Sequence, residues 1–307
     1  MSKTKGFIYA SISAATYGLI PLFALPVMAK GVHFDSILCY RFLVASVALA
    51  GLMMVRKESF RISRCELFTL VGLGCLFASS AMFLFWSYQF MAAGIASTIL
   101  FLYPVFVAIL MATLFRERIS LLTQVAIGIA MCGVVLLYGG DGDAKISLIG
   151  ILIVLMSALT YAFYLIGIHK SNVQMMDGKK ITFYAMLVAM SLFFMKAQFT
   201  GGLQALPDNA AILNIVLLGM IPTVVSCVTM VLSVHYIGST NTAVFGVMEP
   251  LTAVAVGICV FSEPFTLNLA LGIVLVIIAV ILIILSDRVK KSLQYLLHII
   301  IPHISEN

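Results

Sequence analysis

Charge is scarce in this sequence. Only 10% of its 307 residues are Asp, Glu, Lys or Arg, while 63% are hydrophobic; a soluble domain carries about 25% charged residues. A water-soluble globule is therefore excluded, and a mean hydropathy of +1.16 makes the bilayer the solvent. Acidic residues are rarer than basic ones, 12 against 18, leaving a net charge of +6. In a soluble domain such a balance would suggest nucleic acid. Here the basic residues stand in short loops between apolar spans, which sets membrane orientation and leaves no nucleic-acid partner.

Cysteine and histidine chemistry is missing as well. Cys39, Cys65, Cys75, Cys132, Cys227 and Cys259 are scattered through or beside apolar spans without a C-x-x-C, so they read as small core residues. His33, His169, His235, His298 and His303 lack metal-ligand spacing, and no Walker A sequence exists. Neither a cofactor nor a metal is implied. A membrane-embedded enzyme would want paired carboxylates, a histidine cluster or a nucleophile with a base at one depth. A channel would want rings of like charge or a carbonyl filter. Neither pattern appears. The single tryptophan, Trp86, falls near the outer end of a span and reads as an interfacial anchor.

What is present is a series of long apolar runs. A transmembrane helix needs roughly 20 such residues. Ten runs qualify, at 6–28, 36–55, 66–90, 94–115, 121–139, 147–168, 181–199, 210–236, 240–261 and 265–286. They are too long, and too free of period-two alternation, for barrel strands. The first follows Lys3 and Lys5 but exceeds a signal-peptide core, so it is expected to be an uncleaved helix. Beyond Asp287, Lys290 and Lys291 precede Leu293, Tyr295, Leu296 and Leu297, the pattern of an amphipathic segment on the inner surface. Residues 287–307 are expected to form a cytoplasmic tail.

One stretch occurs twice. Residues 87–117 and 233–263 align without a gap, matching Ser87 to Ser233, Pro104 to Pro250, Phe115 to Phe261 and Glu117 to Glu263. Each copy runs from a small polar cluster through a proline-broken apolar helix to a glutamate. Upstream, Ser13-Ala14-Ala15-Thr16-Tyr17 matches Ser157-Ala158-Leu159-Thr160-Tyr161 at nearly the same offset. The chain is expected to be two repeats, 1–143 and 144–286, of five helices each. Five is odd, so the second repeat must enter the membrane the opposite way. With the N-terminus inside, 14 of the 18 Lys and Arg residues fall on the cytoplasmic side, which places both termini there.

These features resemble the drug/metabolite transporter superfamily, and within it the ten-helix EamA type. The resemblance covers residues 6–286. It is carried by the Gly-opened first helix of each half (Gly6, Gly150), Arg41 in the second span, the twin proline-to-glutamate segments and Glu249-Pro250 in the second of them. The first copy departs from the second, with Tyr103 where the second has Glu249. The resemblance implies an all-α integral membrane protein of a bacterial inner membrane. Such a protein exports small metabolites, often amino acids or related compounds, by alternating access. Drug and nucleotide-sugar carriers belong to the same superfamily. A small-molecule substrate and the lipid bilayer are the implied partners, and the chain would work as a monomer or homodimer.

The residues themselves point to a pocket. Only Arg41 and Glu249 are charged well inside predicted spans, and ionisable groups at that depth face a cavity or a partner. They either line a pocket that holds a substrate carboxylate or amine or a proton-linked carboxyl group, or are satisfied by backbone carbonyls, hydroxyls or each other; Arg41 can also snorkel outward on its long stem. Tyr17 and Tyr161 are repeat-related, Tyr164 lies one turn beyond Tyr161, and Tyr103 precedes its proline. Ser79 and Ser80 sit in span three, Asn241 opens span nine, and Ser226, Thr229 and Ser233 share one stripe of span eight. Each is either a pocket group or interhelical glue worth about 0.6 kcal/mol. Pro104, Pro222 and Pro250 should break their helices, and Glu117 and Glu263 read as helix-end caps.

Overall fold

The structure is a computed structural model. It describes residues 3–116, 120–138, 147–199, 201–263 and 266–300, with side chains as far as residue 285 except at 239 and 240. The described residues are helical, without strands. Among the described residues nine helical runs are long and apolar enough to cross a membrane, and a shorter apolar helix at Leu121–Leu137 completes the expected ten.

In chain order, span one is α1 (Lys3–Tyr17) and α2 (Ile20–Ala29), span two α3 (Phe34–Val55) and span three α4 (Arg64–Ser87). Span four is α5 (Ala93–Leu100) and α6 (Tyr103–Phe115), and span five α7 (Leu121–Tyr138). The second repeat has α8 (Leu148–Lys170), α9 (Gly178–Phe199) and then α10 (Asn209–Gly219), which passes through a π-helical turn (Met220–Val225) into α11 (Ser226–Phe245). Within α11, Gly238 takes φ +80°, a conformation glycine adopts without strain, and there span eight ends and span nine begins. Span nine finishes with α12 (Met248–Phe261), and span ten is α13 (Leu267–Ile300). The helix α13 runs on past residue 287 to Ile300 without a break, and residues 301–307 lie outside the described residues.

Local sequence explains the helix starts. Ser63 and Glu66 close a reciprocal capping box on α4, while Ser147 and Asp208 cap α8 and α10 through their side-chain oxygens. Prolines act as anticipated: Pro104 and Pro250 lie in the first turns of α6 and α12, directly after breaks at Phe101-Leu102 and Gly246-Val247. Spans four and nine thereby become pairs of half-helices. Span one is broken too, at Gly18-Leu19, whereas its counterpart α8 is continuous.

Packing follows the inverted repeat. Span one packs on span eight as span six packs on span three, and spans two and seven, four and nine, and five and ten pack on each other. The seams agree atom by atom. Ser13 Oγ donates to the Ser226 carbonyl (2.8 Å) and Ser226 Oγ returns a bond to the Ser13 carbonyl (2.9 Å). In the other half Ser157 Oγ donates to the Ser80 carbonyl (2.7 Å), with the two hydroxyls 3.2 Å apart. A Cβ added at Gly6 would sit 2.8 Å from Tyr236 Cβ, and one at Gly150 would sit 2.7 Å from Phe90 Cβ. Both glycines permit close helix approach, the usual way membrane helices pack without a hydrophobic drive between them.

The loops after spans two and seven repeat this relation at opposite surfaces. Tyr184 donates to the Phe60 carbonyl (2.6 Å), and Tyr40 donates to the Gln204 carbonyl (3.0 Å). Ion pairs reinforce both straps, Lys179 with Glu58 at one surface and Lys30 with Asp208 at the other. Lys196 also pairs with the buried Asp35 (2.8 Å) beside the second strap. Lys30 holds the exposed Asp208 carboxyl below the usual carboxylate range. Of the cysteines, Cys39 and Cys227 are core residues as expected, but Cys65, Cys132 and Cys259 lie on the outer face of the bundle, where a small thiol tolerates lipid.

Candidate functional site

A cavity lies between the broken spans. It is lined by Tyr17, Arg41, Ser80, Tyr103, Tyr161 and Glu249, with Phe42, Phe77, Ala81, Leu84 and Leu100 as its apolar walls. The polar groups come from within spans one, two, three, four, six and nine, so both repeats contribute. Its volume, measured for the centre of a water-sized sphere, is about 20 Å³, which holds on the order of one water molecule. Anything larger requires the helices to part.

Arg41 does not snorkel. It is 2% exposed, and its Nε donates to Thr223 Oγ1 at 3.0 Å. The guanidinium carbon lies 5.4 Å from the Phe42 ring centre and 5.8 Å from that of Phe85, within cation–π range. Tyr17 stands beside it in the cavity. Glu249 occupies the first turn of α12, so its carboxylate sits at the positive end of a half-helix. Its main-chain oxygen packs against Gly18 at the break in span one. Among the described residues no basic side chain forms an ion pair with Glu249, and no carboxylate forms one with Arg41. The cavity thus holds one basic and one acidic side chain with no ion pair between them among the described residues. In the same cavity the Tyr103 and Tyr161 rings meet edge to face at 4.9 Å, and Tyr161 stacks on Tyr164 at 5.8 Å.

Five anticipated pocket residues lie elsewhere. Ser79 bonds back to the Cys75 carbonyl (2.8 Å) within its own helix. Ser226 belongs to the serine seam with span one, and Ser233 on the same stripe bonds the Gly6 carbonyl (3.1 Å). Thr229 bonds back to the Val225 carbonyl (2.7 Å) and borders an apolar groove on the bundle surface. Asn241 bonds the Ile237 carbonyl (2.8 Å) at the turn between spans eight and nine. These hydroxyls and amides satisfy helix ends and seams, the glue reading of the same pattern.

Glu263 acts as a cap, but for another helix. Its Oε1 accepts from the Ala93 N–H (3.1 Å) at the start of α5, while its carboxyl closes over Gly257. Burial pushes the Glu263 carboxyl up, and the Ala93 and Gly94 amides pull it back. Glu117 lies outside the described residues. Trp86 is 38% exposed at the end of span three, where a belt residue belongs.

Sequence reasoning missed Tyr88 and Thr223. The Tyr88 hydroxyl is buried beside Ser97, and its ring packs on Phe85, which also meets the Arg41 guanidinium. Its only sequence signal is its place beside Ser87 at the head of the doubled stretch. Thr223 had a signal in Pro222, since proline leaves an upstream carbonyl without a donor; Thr223 Oγ1 supplies it, donating to the Leu218 carbonyl at 2.9 Å.

A family model described as the EamA-like transporter family matches residues 4–139 and again 148–285. The chain belongs to the EamA-like transporter family. The EamA-like model thus matches twice in tandem, once over each five-helix repeat. The chain is 28% identical over 227 residues to the uncharacterized transporter sll1319 of Synechocystis, covering 72% of this chain and 68% of that one. It is 26% identical over 191 residues to the uncharacterized transporter YdfC of Bacillus subtilis, covering 60% of each. A crystal structure of another protein superposes with a TM-score of 0.66 over 94% of this chain at 16% identity, a likeness of fold alone. Family and relatives make this EamA-like protein a multi-pass membrane transporter and not an enzyme.

Proposed function

We propose that this EamA-like protein exports small polar or amphiphilic metabolites, amino acids and related compounds above all, by alternating access around the Arg41–Glu249 cavity. The observation that carries this reading is a guanidinium and a carboxyl group in one tyrosine-lined space, with no ion pair between them among the described residues. A zwitterion complements it: the substrate carboxylate at the Arg41 fork, the ammonium at Glu249, an apolar side chain against Phe77, Tyr103 and Tyr161. A nucleotide sugar, with its phosphates, would be repelled by Glu249. Orientation follows the basic loops, with both termini on the cytoplasmic side of a bacterial inner membrane. The working unit is a monomer or homodimer in the lipid bilayer.

The test is counterflow in proteoliposomes with L-phenylalanine, its amide and its N-acetyl derivative, alongside L-alanine and L-threonine. The parent should move the free amino acids and reject both masked forms; Glu249→Gln should accept the N-acetyl derivative relatively better. Equal movement of the masked and free forms, or parental rates in both Glu249→Gln and Arg41→Gln, would remove the two charges from the site.

A further inference from the structure

The two repeats differ in one place that bears on Arg41. A Cβ at Gly74 would lie 2.5 Å from Val188 Cβ, and one at Gly219 would lie 2.7 Å from Val44 Cβ. These are the same contact in the two halves, span three on seven and span eight on two. The serine seams, Ser80 with Ser157 and Ser226 with Ser13, are likewise the same contact. Six positions separate Gly74 from Ser80, but seven separate Gly219 from Ser226. The second repeat therefore carries one extra residue, and the π-helical turn Met220–Val225 is where the helix absorbs it.

Thr223 stands in that turn. Its hydroxyl donates to the Leu218 carbonyl (2.9 Å) and accepts from Arg41 Nε (3.0 Å), while Pro222 leaves no competing N–H. Donating one way and accepting the other, a single hydroxyl ties the guanidinium to the backbone of span eight. The position matching Arg41 in the second repeat is Ala185, so the arrangement exists only once.

We propose that Thr223 is the positioning residue for Arg41, and that the extra residue of the π-turn places its hydroxyl to fix the guanidinium toward the substrate. The proposal rests on the reading of Arg41 as a substrate contact. Holding Nε keeps the fork in place beside Tyr17, with its terminal nitrogens as the donors a carboxylate would meet. Binding should weaken when the hydroxyl goes, while the transport step itself should not.

The test combines transport with spectroscopy on the full-length protein. Flux of L-alanine, L-threonine and L-phenylalanine is measured for the parent, Thr223→Val, Thr223→Ser and Arg41→Lys. Thr223→Val should raise KM roughly threefold to tenfold with the maximal rate retained, as expected for loss of a charge-assisted hydrogen bond, and Thr223→Ser should restore it. In ¹⁵N-arginine-labelled protein, the Arg41 Nε–H signal, identified by its loss in Arg41→Lys, should be protected from solvent exchange in the parent and Thr223→Ser and unprotected in Thr223→Val. A raised KM in Arg41→Lys with a parental KM in Thr223→Val would overturn the positioning role and leave the site standing. A parental KM in Arg41→Lys would remove Arg41 from the site, and the proposal with it. Should Thr223→Val fail to fold, the parent alone decides: an Arg41 Nε–H exchanging as fast as surface arginines refutes the bond.

Discussion

Replacing Gly18 by alanine tests the contact between span one and the carboxylate-bearing half-helix. The added Cβ would overlap the Glu249 carbonyl oxygen, lie 2.8 Å from Thr252 Cβ and 3.3 Å from Ala253 N. Two of these neighbours are backbone, so no side-chain rotation relieves the overlap and the helices must separate. Overpacking of this kind costs about 1–3 kcal/mol, offset by roughly 0.4–1 kcal/mol from the smaller unfolded-state entropy of alanine. The net loss of about 1–2 kcal/mol should lower the melting temperature in detergent by about 2–6 °C. Gly51→Ala and Gly72→Ala are the controls, because both are within helices with nothing within 4 Å of the added carbon. They should leave stability unchanged or raise it by up to about 1 kcal/mol. The melt can be followed by fluorescence-detected size exclusion, with flux measured in parallel, since a shifted Glu249 backbone should also impair transport. A Gly18→Ala variant that melts at or above the parent, with parental flux, would refute the packing of the span-one break against α12.

Three further outcomes follow from the same geometry. Tyr184→Phe and Tyr40→Phe each remove one repeat-related strap bond, and each should cost about 1 kcal/mol; a large loss in one and none in the other would deny that the straps are equivalent. Single cysteines at Ser59 and Met175 should be labelled only from the cytoplasm and one at Ala205 only from outside, and labelling of Ser59 and Ala205 from one side would rule out the inverted topology. Alanine at Pro104 or Pro250 should slow transport while leaving expression intact, because it lets the half-helices of spans four and nine close into continuous ones; parental flux in both variants would show that the breaks serve packing alone.

The sequence by itself determined the solvent, the spans and the doubling. Those properties depend on local composition: twenty apolar residues cross a bilayer whatever they pack against, and an odd number of spans per repeat forces inversion. Proline breaks were legible for the same reason, since a missing N–H acts within its own turn. The polar groups of the site were not separable from those of the seams. Ser80 and Ser79 are adjacent, yet one lines the cavity and the other bonds its own helix. Ser226 and Ser233 form a stripe as regular as any binding face, yet the stripe meets span one. A helical period tells which residues share a face but not which neighbour that face meets. Arg41 and Thr223 are 182 positions apart, and Ser13 and Ser226 are 213 apart. Only the packed bundle decides that the first pair orders a guanidinium at the cavity while the second closes a seam, because the one-residue shift in span eight that separates those outcomes becomes visible only when both repeats are in contact.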